Sequence, residues 1–182
     1  IQEPKEKEAM SEMYQAQEYF DEALTSTIAK DSLYNLSLSG GNSKYGFLDI
    51  IENYGGTKAS NLSNYYAGVA YLNMNDYKNA ISYLDAFESD DAVLGPLAKG
   101  AIGDAFVQLD QMDTALEYYE SAAKMQDNEF TTPRFLLKAG IAAMKLGNAS
   151  KAAAHFSSIT GMYSNTTEAS KAKADLSQAE AM

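Results

Sequence analysis

Residues 67–87 read AGVAYLNMNDYKNAISYLDAF, and the order of residue sizes in this stretch decides how the chain folds. A small pair, Ala67-Gly68, is followed three residues on by Tyr71, then by the polar turn Asn75-Asp76-Tyr77, then by Ala80-Ile81 and further aromatics. The pattern recurs. Ile102-Gly103 precedes Phe106 and is followed by Ala115-Leu116, Tyr119 and Ala122. Ala139-Gly140 precedes Ala143, the turn Gly147-Asn148, Ala152-Ala153 and Phe156. Gly68, Gly103 and Gly140 therefore stand 35 and 37 residues apart, and a period of about 34 residues is the sequence signature of a helical solenoid. An alanine-rich bundle with accidental spacing is the competing reading, but it does not account for three small-residue pairs each followed by a second small-residue helix.

These strings resemble the tetratricopeptide repeat. The resemblance implies that Gly68 occupies the eighth position, where the two helices of a hairpin cross closely, and Ala80 the twentieth, where the second helix needs the same room. Tyr71 takes the eleventh position, filling the gap between helices, and Asn75-Asp76-Tyr77 replaces the usual Gly-Asp-Tyr turn. Ala143 in place of an aromatic, and the missing proline near each repeat's end, are departures from the pattern. The expected fold is all-α, a right-handed α-solenoid of eight or nine helices with regular hairpins at about 61–88, 96–125 and 133–160. As a single array it divides into a long helix and degenerate hairpin (1–56), three repeats (57–90, 91–130, 131–161) and a capping helix (162–182).

Taken in order, residues 3–30 predict a long amphipathic helix with Pro4 in its first turn and Met10, Met13, Phe20, Leu24 and Ile28 at near-helical spacing. One or two further turns over 32–38 end at Gly40-Gly41, and 43–53 forms a short apolar helix stopped by Tyr54-Gly55-Gly56. This short helix and the long one make the degenerate hairpin. Thr57 or Ser60 caps the first regular repeat, with helices to Met74 and from Asp76 to Glu88. Ser89-Asp90-Asp91 caps the next helix, which runs to Leu109 and is followed by Met112 to Met125. After the connector 127–130, Thr131 or Thr132 with Pro133 starts a helix to Leu146, and its partner runs from Ala149 to Thr160 with Gly161 as the stop. The last helix, Thr166 to Ala181, caps the array, because an uncapped hairpin would leave an apolar face in water.

Composition excludes whole classes of function. The chain has 182 residues, no cysteine and a net charge of −11. Disulfides, thiolate metal sites and cysteine catalysis are ruled out, although the compartment is not identified. With no cluster of Lys and Arg, a nucleic-acid partner is disfavoured, as is adhesion of the folded domain to an anionic membrane. No window of about 18 apolar residues is present to span a bilayer. His155 is the only histidine, so a triad would depend on it and a zinc site would lack companions; it reads as a partly exposed structural residue. Gly55-Gly56 near Lys58 is a helix stop, since no GxxxxGK[ST] string occurs. Asp90-Asp91 reads as a solvated cap, not a metal site, because adjacent helical residues do not face one point. Most of the 13 tyrosines fall at repeat-core positions. The Asn-x-Ser/Thr strings at Asn35, Asn61, Asn148 and Asn165 arise often by chance. No cofactor motif is found.

The run GFLDIIENYGGTKASNLSNYYAGVAYLNMNDYKNAISYL, residues 46–84, with PKEKEA at 4–9, is similar to bacterial tetratricopeptide proteins of the YfgM type. That resemblance implies a single N-terminal inner-membrane anchor upstream of Ile1 and a domain facing the periplasm, with a cytoplasmic location as the alternative. It also implies an accessory role near the Sec translocon, with translocon or periplasmic folding factors as partners. The function expected is a non-catalytic protein-interaction scaffold of the cell envelope. An assembly or ligand-binding module for outer-membrane or lipoprotein biogenesis is the alternative, and an enzyme is disfavoured. In the repeat family, positions 2, 5, 9, 12 and 13 of the first helix line the partner groove. Here these are Leu62, Tyr65, Val69, Leu72 and Asn73, then Leu97, Gly100, Asp104, Val107 and Gln108, then Arg134, Leu137, Ile141, Met144 and Lys145. The Lys and Asn set that some members use to clamp an acidic C-terminal tail is absent. An apolar groove of this kind must be covered, by a terminal helix of the chain or by a partner helix.

Overall fold

The computed structural model describes residues 2–182. Among these residues there are ten helices and no β-strand, only an isolated bridge between Gly41 and Lys44. The count exceeds the expected eight or nine. The chain divides into two compact units, Ile1–Glu88 and Ser89–Met182.

The first unit holds α1 (Gln2–Thr25), α2 (Lys30–Ser39), α3 (Phe47–Asn53), α4 (Lys58–Asn73) and α5 (Tyr77–Ala86). In α1 the buried stripe is Ala9, Met13, Ala16, Phe20 and Ala23, alternating steps of four and three that keep one helical face inward. Met13 and Phe20 of the expected stripe lie on it, and the other three do not. Met10 and Leu24 are exposed, and Ile28 lies beyond the helix at 97% exposure. The alanines win because they let α1 lie close to its neighbours, whereas the longer apolar residues one position away point to solvent. α1 also stops at Thr25 rather than near Asp31: Thr25-Ser26-Thr27-Ile28 are poor helix formers, and the Ser26 hydroxyl accepts the Ala29 N–H at 3.0 Å, closing a turn.

The hairpin partner of α1 is therefore α2, a full helix and not one or two turns, while α3 packs chiefly on α4. α3 begins four residues later than expected because Asn42 and Ser43 hold positive φ, and the Asp49 carboxylate accepts the Gly46 N–H at 2.9 Å. The core around them is aromatic. Phe20 meets Tyr34, Phe47 and Tyr66 edge-on, and Phe47 stacks on Tyr66 at 4.9 Å.

α4 is capped by Thr57, whose Oγ1 accepts the Ser60 N–H. The Glu6 carboxylate, reaching over from α1, accepts the Lys58 and Ala59 N–H groups at 2.8 and 3.0 Å. Three donors that the helix start leaves without partners are thereby satisfied. α5 ends at Ala86, short of Glu88, because the Asn61 side-chain amide pairs with both the N–H and the carbonyl of Glu88 and draws that residue out of helix.

The second unit holds α6 (Leu94–Gln108), α7 (Met112–Met125), α8 (Thr132–Lys145), α9 (Ala149–Met162) and α10 (Thr167–Glu180). Asp91 accepts the Val93 and Leu94 N–H groups at 2.8 Å each, and these bonds hold its carboxyl below the ordinary range. At the α7–α8 connector the Asn128 amide donates to the Ala92 carbonyl, while its oxygen accepts the Phe130 and Thr131 N–H groups. One side chain thus ties the entry of α6 to the entry of α8. Gly161 does not stop α9, which continues through Met162. α10 buries Ala169, Ala172 and Ala179 and packs on α9 and α8.

The hairpins α4–α5, α6–α7 and α8–α9 share one turn and one crossing. Asn75, Asp110 and Gly147 each hold left-handed backbone with φ of 63°, 58° and 73°, a conformation that only Gly, Asn and Asp adopt readily. The N–H of the next residue then bonds five residues back, Asp76 to Tyr71, Gln111 to Phe106 and Asn148 to Ala143, each at 2.9 Å, which is the Schellman closure. At the crossing, a Cβ on Gly68 would meet Leu84, on Gly103 Tyr119, and on Gly140 Phe156. Each glycine faces the side chain sixteen residues later.

Gly103→Leu should therefore overpack α6 against α7 and lower stability by about 1–3 kcal/mol or more. The test is the urea or thermal midpoint. An unchanged midpoint would remove Gly103 from the crossing.

Candidate functional site

The first helices of the three hairpins, α4, α6 and α8, carry all the groove positions named from the sequence. On α4, Leu62 and Val69 pack against the first unit's core, and Tyr65 sets its ring against Tyr66 and Phe87 at 6.0 and 5.3 Å. Leu72 and Asn73 are half-buried, with the Asn73 amide donating to the Val69 carbonyl. Helix α1 lies against the adjoining strip of α4: Met13 Sδ accepts the Ser63 hydroxyl, the Gln17 amide donates to the Tyr66 hydroxyl, and Phe20 meets the Tyr66 ring.

In the second unit the named positions separate into three groups. Gly100 is buried beneath the Phe135 ring, where any Cβ would collide, so it seats α8. Leu97, Leu137 and Met144 pack partly on the unit's core, while Gln108 and Arg134 are exposed, the Arg134 guanidinium lying 5.9 Å from the Phe135 ring. Asp104, Val107, Ile141 and Lys145 come together. Val107, Ile141 and Lys145 line a hollow of about 140 Å³ together with Met112, Tyr119 and Lys138.

Asp104 organises the polar side of this hollow. Its carboxylate accepts the Lys138 ammonium at 2.5 and 2.7 Å and the Tyr119 hydroxyl at 2.6 Å, and Lys138 also lies 5.5 Å from the Tyr119 ring centre. Burial first, and then the bond to Asp104, push the Tyr119 hydroxyl far above its ordinary value. The phenol stays protonated and donates, which suits a positioning role and not a nucleophile or base. Lys138 and Tyr119 were missed in the sequence reading. The available signal was spacing, since Asp104 and Lys138 lie 34 residues apart, one repeat length, with opposite charge.

On the other side of α7, Glu120 meets Lys151 Nζ at 3.0 Å and His155 Nε2 at 2.9 Å across to α9. His155 is thus a structural partner with a side chain 16% exposed. Burial alone would raise the Glu120 carboxyl; the hydrogen bonds and charges of Lys151 and His155 outweigh it and hold Glu120 below its ordinary value. Among the described residues no group of three His, Asp or Glu side chains is placed to hold a metal ion.

The tetratricopeptide repeat model matches residues 65–130 and 101–166, more than half of the chain. The chain belongs to the tetratricopeptide repeat family. No curated protein and no solved structure matches it. The family's repeats generally mediate protein–protein interaction, and the glycine crossings and Schellman turns found at α4–α5, α6–α7 and α8–α9 are the geometry behind the match.

Because the folded value of Glu120 lies below its unfolded value of about 4.3, its stabilisation is complete above that pH and lost as pH falls through the folded value. Glu120→Gln should lower stability by about 1 kcal/mol at pH 6. The gap from the unaltered protein should narrow as pH falls below about 4.3 and vanish once it passes the lower folded value, as followed by urea midpoints across pH. A gap independent of pH would show that the ion pairs are not its source.

Proposed function

We propose that this protein is a non-catalytic scaffold of the bacterial cell envelope that holds a protein partner on the first helices of its repeats. The observation that carries the reading is what the first helices present within each unit: half-exposed Tyr65 and Leu72 on α4 in the first, and half-exposed Val107 and Ile141 on α6 and α8 in the second, stand among charged and amide side chains, with no nucleophile and base in register among the described residues. Such a surface supplies contact area and selectivity but no chemistry. The Tyr119 hydroxyl, raised by burial and by its bond to Asp104, is held as a donor, and His155 is committed to Glu120.

The envelope setting rests on the similarity of residues 46–84 to the YfgM-type proteins. On that basis the domain stands in the periplasm behind an N-terminal inner-membrane anchor, near the Sec translocon, and its partners are translocon subunits or periplasmic folding factors. No helix among the described residues is long and apolar enough to cross a membrane, so attachment would come through a segment outside these residues.

The test is photo-crosslinking in cells, with a photoreactive residue at Tyr65 or Leu137 and, as a control, at exposed Lys173 on α10. Adducts to the same envelope protein from positions 65 and 137, absent from 173, are the expected result. Equal labelling from all three positions would sink the scaffold assignment, and adducts confined to cytoplasmic proteins would sink the location.

A further inference from the structure

Charge is unevenly distributed around the hollow of the second unit. The chain carries 25 acidic and 14 basic residues, yet α8, TPRFLLKAGIAAMK, has Arg134, Lys138 and Lys145 and no acid. Lys138 is engaged with Asp104. Lys145 is exposed at the rim and has no acidic partner among the described residues. The remaining lining is mainly apolar, with Val107, Met112, Ile141 and Ala142 forming the walls. A space of about 140 Å³ admits one side chain of moderate size and not an entire helix.

From this we infer that the hollow is a subsite for an acidic peptide: one aliphatic or small aromatic side chain enters between Val107 and Ile141, and a neighbouring Asp or Glu of the same peptide pairs with Lys145. The inference rests on the scaffold reading and adds the chemistry of the partner. The two halves of the site do different work. Apolar contact in the hollow supplies most of the affinity, while a rim ammonium supplies selectivity and a faster encounter. A basic side chain in the carboxylate's place would face the Lys145 ammonium, while Lys138 is neutralised by Asp104. A neutral one would leave Lys145 solvated and gain nothing from it. In a chain of net charge −11, an acid-free helix beside an apolar hollow also sets the register of approach of an acidic peptide.

The experiment uses an octapeptide library displayed on phage and selected on the whole chain, followed by anisotropy titrations of the winning peptide and its Glu-to-Gln counterpart. The enriched sequences should place Asp or Glu next to Leu, Ile, Met or Phe, and the Gln counterpart should bind about tenfold more weakly. Lys145→Glu, at an exposed position, should abolish that difference with only the slight lowering of the unfolding midpoint expected of an acid in the last turn of a helix, and selection on this variant should enrich Lys or Arg. Ile141→Ser should weaken acidic and neutral peptides alike. The inference is overturned if enriched peptides lack acids, if no peptide is enriched, or if Lys145→Glu binds the acidic peptide as the unaltered chain does. Its failure is separable from that of the scaffold reading: crosslinks in cells from positions 65 and 137 without acid selectivity would leave the scaffold standing, and acid-selective binding without those crosslinks would leave only the subsite.

Discussion

Close approach of paired helices at three glycines is the constraint on which the rest of this structure depends. Gly68 against Leu84, Gly103 against Tyr119 and Gly140 against Phe156 are the same contact, with the large partner sixteen residues after the small one. A helix hairpin joined by so short a turn can only bury its facing stripes if the axes come near each other, and a side chain at the crossing would hold them apart. The left-handed turn residue and the five-residue-back hydrogen bond follow from the same demand, because they reverse the chain while satisfying the last carbonyls of the first helix.

Given those hairpins, polar side chains decide how successive elements are joined. Glu6 completes the start of α4 from another helix, Asn61 holds Glu88 out of helix, and Asn128 couples the entries of α6 and α8. Each replaces water at backbone groups that would otherwise lose a partner on packing, which is why these joints use amides and carboxylates and not more apolar surface. The Asp104–Lys138–Tyr119 group works in the same way between α6, α7 and α8, and in doing so it shapes the hollow whose rim is Lys145. The candidate site is thus a by-product of how the second unit is stitched together.

The parts that were legible in the sequence share a property: they depend on residues close in the chain or on a fixed repeat offset. The three hairpins, their turns and the small-residue crossings could be read because spacing alone places Gly68, Gly103 and Gly140 on equivalent faces. The N-terminal segment was less legible. The expected stripe runs through Met10, Met13, Phe20, Leu24 and Ile28; the buried one keeps Met13 and Phe20 but takes Ala9, Ala16 and Ala23 for the rest, because close packing favours a small side chain that hydrophobicity alone ranks below Met, Leu or Ile. The end of α1 and the late start of α3 were set by single side-chain bonds from Ser26 and Asp49, which no periodicity reveals.

By itself the sequence determined the all-helical class, the family, the pairing of α4–α5, α6–α7 and α8–α9, and the absence of cysteine chemistry, because propensity, turn residues and repeat period are local quantities. Only the tertiary structure decided that α1 pairs with α2 and lies on α4, that Gly100 is covered by Phe135 while Val107 and Ile141 line a hollow, and that Lys138 is engaged while Lys145 is not. These outcomes turn on distances between residues that the chain separates by tens of positions, and burial and charge pairing exist only once those distances are set.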